Sequence, residues 1–397
     1  MYCASVSLDY NRSVKTVQKA GAIYIHIPFC LQKCSYCDFC SEPIGNHDAE
    51  RFVRALCLEM RQRRNELAVI DSLFLGGGTP SLLSEDSISE IMRCLNDICA
   101  FSPDAEVTIE ANPATVDEER LCLLRASSFN RISIGIQSAR GNELKVLGRL
   151  HNWPQAETSV RAAQRAGFSN VSVDAMYGIP GQDVRQWRET LSMLLELQPE
   201  HVSAYELTPE PGTRLFAELA SQKYSLPHEE AVAEMFYSAH EVLSACGYEH
   251  YEISNYALPG RRCRHNMAYW ERKPYAGFGP SAHSFNGAER FTNIEDIHRY
   301  IESLETAQSV VAETAVLSEG DVINETVFLG LRTIDGVRRT ALQEDIFTAM
   351  EKALQNEYLQ GLAVLDADSL RLTQRGWLLS NDVIATILSG IEKHHRA

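Results

Sequence analysis

From about residue 21 the chain alternates short β-rich runs with longer amphipathic ones, and this order constrains its fold more than any other feature. The strand-like runs are AIYIHI (22–27), SLFL (72–75), EVTIE (106–110), ISIGI (132–136), VSVDAMY (171–177) and HVSAYEL (201–207). Helical patterns such as 49–67 and 184–197 stand between them. A strand reaches a parallel neighbour only through a crossover, and a helix supplies it, so the repeat predicts an α/β fold with a parallel sheet and helices outside. Six such units over 21–225 fit a partial (β/α)6 barrel. Parallel folds place ligands at the C-terminal ends of their strands, and each unusual residue group of this chain follows a strand.

Beyond residue 225 the alternation fades into a helix (229–246), a stretch rich in Gly, Pro and aromatic residues (247–291) and, from about 320, short helices with a hairpin-like pair around VLDADSLRLTQRG. The expected organisation is an N-terminal tail (1–20), the barrel (21–225), a barrel extension (226–315) and a smaller C-terminal α+β domain of winged-helix type (316–397). A length of 397 residues buries a core without disulfide staples. With 37 basic against 53 acidic residues the formal charge is −16, which argues against a nucleic-acid partner, because phosphate affinity rests on clustered Lys and Arg. The first residues carry no apolar core of a signal peptide, and no window approaches the roughly 18 apolar residues of a spanning helix, so the expectation is a cytoplasmic protein without a transmembrane segment. The sequence leaves homodimerisation open.

Of eleven cysteines, only Cys30, Cys34, Cys37 and Cys40 are bunched, the pattern of a metal site in a reducing compartment. After the first strand the chain reads CLQKCSYC, so C-x3-C-x2-C puts three thiolates on one tight loop. A [4Fe-4S] cluster takes one protein ligand per iron, and three cysteines leave one iron open. The loop resembles that of radical SAM enzymes, where the open iron takes the amino and carboxylate groups of S-adenosylmethionine (SAM) and the sulfonium accepts an electron and breaks to a 5′-deoxyadenosyl radical. Two bland readings compete: a zinc knuckle, which usually pairs two separated CxxC halves, and incidental buried thiols, which rarely bunch. Cys40 as a fourth ligand gives a closed electron carrier and leaves the remaining SAM-site features without purpose. Cys57, Cys94, Cys99 and Cys122 sit in apolar helical patterns and read as small hydrophobes.

LFLGGGTP (73–80) ends the second strand in glycines that let a backbone approach a ligand closely. Further strand ends supply Glu110, Gln137, Arg149 and Asp174, suited to ribose hydroxyls, an adenine edge or a carboxylate. Singly, each reads equally well as a hydrogen bonder that fixes a loop; as successive strand ends, the set favours a ligand.

Taken together, YIHIPFC, the cysteine loop, GGGTP, IEANP, GIQS and DAMYGIPGQ resemble the oxygen-independent coproporphyrinogen III oxidase family over about residues 21–390. That family has two main branches: the decarboxylating dehydrogenase of heme synthesis, and a heme chaperone that keeps the radical SAM core and delivers heme to acceptor hemoproteins. In the first branch a cysteine follows the third cluster ligand after one residue, whereas this chain reads Cys37, Asp38, Phe39, Cys40. The dehydrogenase also carries a longer N-terminal segment than the 23 residues before Tyr24. CRHNMAYW (263–270) matches the HNxxYW motif of the chaperone branch, proposed there for heme contact.

The resemblance therefore implies a heme chaperone with a [4Fe-4S] cluster on Cys30, Cys34 and Cys37, and a heme contact at His265. It implies SAM contacts at Tyr24, Tyr36, Gly77, Gly78, Thr79, Glu110, Gln137, Arg149, Asp174 and Thr208. On a helix, His265 and Tyr269 share a face, and a neutral imidazole with a neighbouring Tyr and Trp suits heme iron and its flat macrocycle. A polar helix cap with two packed aromatics is the bland alternative. Arg261, Arg262 and Arg264 offer cations to a tetrapyrrole's carboxylates in either branch. YEISNYA (251–257) and GFGPSAHS (277–284), with His283, also resemble the family. The alternative functions are oxidative decarboxylation of coproporphyrinogen III to protoporphyrinogen IX and, more remotely, another radical SAM reaction such as methyl transfer.

Overall fold

The computed structural model describes residues 17–396, so most of the expected N-terminal tail lies outside the described residues. All six expected strands are present: β1 (Ala20–Ile27), β2 (Leu67–Gly77), β3 (Phe101–Ala111), β4 (Arg131–Gln137), β5 (Val171–Tyr177) and β6 (His201–Glu206). Each pairs in parallel with the next. The crossovers carry helices α1 (Ala49–Gln62), α2 (Glu85–Ile98), α3 (Glu118–Ala126), α4 (Trp153–Arg165) and α5 (Val184–Glu196). Each of the five starts at a side chain that accepts from an otherwise orphaned backbone N–H: Asp48, Ser84, Asp117, Asn152 and Asp183. Along β1, Ile23, Ile25 and Ile27 are fully buried in the apolar core, which the helices complete. The alternate residues Tyr24 and His26 turn to the other face, where their side chains meet. The helical pattern of 49–67 is broken earlier than expected: α1 ends at Gln62, and Leu67 already begins β2.

The sheet extends beyond the six predicted strands. α6 (Glu229–Ala245) precedes β7 (Glu249–Glu252) and β8 (Asn255–Ala257), and β8 adds antiparallel to β6. A short helix, α7 (Arg264–Trp270), leads into β9 (Tyr275–Phe278), a seventh parallel strand on the other side of β1. The antiparallel strands β10 (His283–Phe285), β11 (Glu289–Asn293) and β12 (Val311–Val316) follow, with α8 (Ile297–Glu305) between the last two. The order is β12-β11-β10-β9-β1-β2-β3-β4-β5-β6-β8-β7. Glycine hides β9 from a propensity reading, yet the strand needs it: a Cβ on Gly277 would lie 2.0 Å from the carbonyl oxygen of His283.

One buried carboxylate ties this extension to the barrel. Glu59 of α1 has no exposed surface and accepts from Arg63 Nη1 (2.8 Å), the Gly279 amide (2.9 Å), Asn293 Nδ2 (2.7 Å) and the Tyr300 hydroxyl (2.5 Å). Arg63 also donates to the Gly277 carbonyl at 2.7 Å.

The C-terminal part contains α9 (Glu319–Gly330), β13 (Val337–Arg338), α10 (Glu344–Ala353), β14 (Ala363–Leu365), β15 (Ser369–Leu372) and α11 (Ser380–Arg396). The hairpin-like pair is β14 with β15, and β13 completes a three-stranded sheet. This part hooks onto the β7–β8 turn through Ile253 N–H to the Arg332 carbonyl (3.0 Å) and Ile334 N–H to the Tyr251 carbonyl (2.9 Å). Among the described residues no helix is long and apolar enough to cross a membrane.

Removing one partner from a buried ion pair leaves the other charge uncompensated, at about 3–5 kcal/mol. Glu59→Ala is therefore expected to lower unfolding stability by about that amount. Urea titration checks it, and a loss within experimental error would show that the network does not hold the extension.

Candidate functional site

The cysteine loop is held by hydrogen bonds at Ser35, between its second and third cysteines, and at Cys40 just beyond it. Ser35 is buried, its amide donates to the Leu147 carbonyl (3.0 Å), its hydroxyl to the Val146 carbonyl (2.6 Å), and its own carbonyl accepts from Leu215 N–H (2.7 Å). On the other side the Tyr24 hydroxyl donates to His26 Nδ1 (3.0 Å) and His26 Nε2 to the Cys40 carbonyl (2.7 Å). This pattern puts the imidazole proton on Nε2, and burial lowers the His26 pKa, keeping the ring neutral. The glycines after β2 have a function that the sequence did not reveal. Gly78 N–H donates to the Ile27 carbonyl (2.8 Å) and Thr79 N–H to the Phe29 carbonyl (2.6 Å). A Cβ on Gly78 would lie 2.4 Å from the Phe29 oxygen, and one on Gly77, whose φ is +104°, 2.4 Å from the His26 ring. The triple glycine thus presses the end of β2 against the root of the cysteine loop.

At the C-terminal ends of the strands a cavity of about 440 Å³ opens. Cys30, Cys34 and Cys37 line it, together with Tyr36, Gly77, Gly78, Thr79, Glu110, Gln137, Arg149, Asp174 and Thr208. Ser133, Met176 and Tyr205 also line it and were not predicted; they lie on the inward face of β4, β5 and β6, in period-2 register with Gln137, Asp174 and Ser203. Tyr24 is not in the lining: it lies behind the cavity, its ring centroid 6.3 Å from Phe74 and 6.3 Å from His265. Cys40 is also outside the lining, and its thiol donates to the Glu295 carbonyl (3.3 Å).

Burial pushes the Cys30 and Cys37 thiols up, so ionised sulfurs there call for a positive partner. Among the described residues no three His, Cys, Asp or Glu side chains converge closely enough to hold a single metal ion. The three cysteines instead face the cavity from separate points of the loop, an arrangement that suits a cluster taking one thiolate per iron. Thr79 Oγ1 donates to Cys30 Sγ (3.8 Å) and Arg149 Nη1 to Cys34 Sγ (3.4 Å), polar support of the kind that tunes clusters.

The opposite wall is made of buried charges. Burial, then the neighbouring Asp174, raises the Glu110 pKa to about 8; the hydrogen bond from the Gly77 amide at 3.0 Å opposes this. Burial also raises the pKa of Asp174, whose carboxylate accepts from the Ser133 hydroxyl at 3.0 Å. Arg149 keeps its buried Nε without a hydrogen-bond partner, and Gln137 holds a left-handed φ of +68°, a conformation that concentrates at ligand sites. A carboxylate lacking a cation and a guanidinium with a spare donor suit a ligand that brings both donors and a carboxylate, as SAM does.

His265 takes a different position from a free axial ligand. It is 1% exposed, its Nδ1 is hydrogen-bonded to Ser72 Oγ (3.1 Å) and its Nε2 to the Tyr269 hydroxyl (2.8 Å), and burial lowers its pKa to about 3. The expected shared face with Tyr269 is present, but it points into the barrel, where Glu106 accepts the backbone N–H groups of Arg264 and His265, each at 3.2 Å. Two of the three expected cations are committed to protein acids: Arg262 to Glu249 (2.6 Å) and Asp335 (2.9 Å), Arg264 to Asp104 (3.0 Å).

The radical SAM superfamily matches residues 24–194, and the HemN C-terminal domain matches 317–379. The solved structure of coproporphyrinogen III oxidase (HemN) from Escherichia coli, a radical SAM enzyme, superposes with a TM-score of 0.79 at 24% identity, over 94% of this chain and 90% of that one. The fold and the three-cysteine cavity thus define a radical SAM protein, a class built to hold a [4Fe-4S] cluster and SAM. Heme chaperone HemW from Bacillus subtilis is 33% identical over 372 residues, 92% of this chain and 98% of the relative. The mitochondrial radical S-adenosyl methionine domain-containing protein 1 of Bos taurus is 33% identical over 391 residues, 94% and 88% of the two chains. The chain belongs to the HemW family.

For Glu110, the folded pKa of about 8 lies above the ordinary 4.5, so its contribution to stability is complete below the ordinary value and is lost as pH rises through about 8. In protein without SAM, Glu110→Gln should gain thermal stability relative to the parent as pH increases from 5 to 9; a difference that stays flat would contradict the buried, unpaired carboxylate. With its thiol turned away from the cavity, Cys40→Ser should retain the iron content of the parent after reconstitution, whereas Cys34→Ser should lose the cluster spectrum.

Proposed function

We propose that this protein is a cytoplasmic heme chaperone that binds heme and passes it to acceptor hemoproteins. The observation that carries this reading is the match to relatives named heme chaperones along almost their whole length. The placement of Cys40 outside the cavity and the presence of the HNxxYW helix fit the same reading. Cys30, Cys34 and Cys37 hold the cluster, and the other cavity side chains hold SAM: Tyr36, Thr79, Glu110, Gln137, Arg149, Asp174 and Thr208, with the Gly77–Gly78 backbone. Tyr24 acts from behind, keeping His26 oriented on the loop. When bound, the cluster supplies one electron to the SAM sulfonium. The chain's own contribution is to shield that site, to orient the thiolates through Thr79 and Arg149, and to place the motif helix next to Tyr24. His265 serves as an internal post whose release from Ser72 and Tyr269 would be needed before it could meet iron. A reducing compartment suits the four clustered thiols.

The test is an anaerobic assay of the cluster-reconstituted protein. Incubated with SAM, a reductant and coproporphyrinogen III, it should form no protoporphyrinogen over many turnovers; loaded with heme, it should transfer heme to an apo-hemoprotein. Multiple-turnover product instead identifies a decarboxylase and overturns the chaperone reading.

A further inference from the structure

Arg131 opens β4 on the inward face and is 2% exposed, yet it is not part of the cavity lining. Parallel pairing sets it beside Thr108 of β3. Two residues on, Ser133 stands beside Glu110 and donates to the carboxylate of Asp174 on β5 (3.0 Å). Arg131 therefore belongs to the layer directly below the two carboxylates of the cavity wall. Its Nε and Nη1 have no hydrogen-bond partner, and neither has the fully buried Thr108 hydroxyl next to it. Buried donors left unmade cost stability, so the packing of the barrel does not explain this residue.

We propose that Arg131 is a positioning residue for SAM binding: from the barrel floor its fixed charge balances the paired carboxylates of Asp174 and Glu110 and keeps them as acceptors for the donors that SAM brings. The inference rests on the placement of SAM against these two side chains and adds what holds them in the binding form.

Two neighbouring buried carboxylates do not both stay charged without a cation. Burial and then Asp174 raise the Glu110 pKa, burial raises that of Asp174, and Arg131 opposes both shifts. Arg149 also acts on Asp174, but it is turned to the cysteine loop, where it donates to Cys34 Sγ (3.4 Å) and to the Gly135 carbonyl. Tyr36 and Tyr205 face Asp174 as neutral phenols, since burial raises their pKa. Below the carboxylates, burial and then Arg131 lower the pKa of His201 and His265, which leaves both rings uncharged. Burial likewise keeps Cys263 and Tyr251 protonated. Glu106 lies on the far side of Arg131 and already accepts the Arg264 and His265 amides (3.2 Å each). Arg131 thus supplies the permanent positive charge of the floor, and in a low-dielectric interior a charge acts without direct contact.

The experiment measures SAM affinity of the full-length, cluster-reconstituted protein by anaerobic equilibrium dialysis between about pH 5 and 10. Protonation of the carboxylate pair weakens binding as pH falls. Removing the cation raises the pKa of the pair, so Arg131→Met should move this acid limb up by about one pH unit, about a tenfold loss of affinity on the limb. The two proteins should converge toward the alkaline end, and Arg131→Lys should restore the parent profile. A merely structural arginine would instead lower affinity by one factor at every pH. Should Arg131→Met fail to fold, Arg131→Gln, which keeps hydrogen-bonding capacity and loses the charge, must show the same displacement. A limb that stays in place in a folded neutral variant, or that the lysine does not restore, overturns the proposal. Asp174→Asn tests the placement separately: if it binds SAM as the parent does, the position of SAM against Asp174 falls. If it weakens binding while the Arg131 variants keep the parent profile, only the role of Arg131 falls.

Discussion

Two backbone hydrogen bonds at the tips of β1 and β2, from Gly78 to Ile27 and from Thr79 to Phe29, set the geometry on which the cavity depends. They continue the parallel ladder past the end of regular pairing and clamp the cysteine loop across the sheet's C-terminal edge. Only residues without a Cβ allow this approach at Gly77 and Gly78. Once the loop is held there, its three thiols and the inward residues of β3 to β5 necessarily face one space. The helices and their caps build the platform, but this contact decides where the cluster loop lies.

The inside of the barrel is polar where an ordinary parallel core would be apolar. Glu106 receives the amides that open α7, His201 sits between Ser172 (2.8 Å) and the Tyr251 hydroxyl (2.8 Å), and Tyr24, Phe74 and His265 form an aromatic cluster below the cavity. The HNxxYW helix is thereby part of the barrel's own packing. Its inner residue His265 packs on Tyr24 and Phe74 inside the barrel, and its outer residues Met267 and Trp270 face the C-terminal part.

The six parallel strands were legible because each is a β-rich run bounded by an amphipathic helix, and the cavity lining was legible because its residues follow strand ends. What escaped has physical reasons. β9 is four residues containing a glycine, and its partner is β1, some 250 residues earlier, so no local period announces it. The inward orientation of His265 depends on Ser72 and Glu106, both remote in sequence. The pairing of Arg262 and Arg264 with Glu249, Asp335 and Asp104 is likewise tertiary. Spacing told which residues share a helix face, and only the fold told which way that face looks.

The seat of β9 beside β1 also bears on how the chain is made. β1 emerges from the ribosome before every other strand of the sheet, and β2 can cover one of its edges soon afterwards. Its other edge stays open until Tyr275–Phe278 has been synthesised and has passed α7. An unpaired edge is a template for wrong partners. The nascent protein therefore carries an open flank next to its cysteine loop through most of translation, and closing that flank coincides with the arrival of the motif helix.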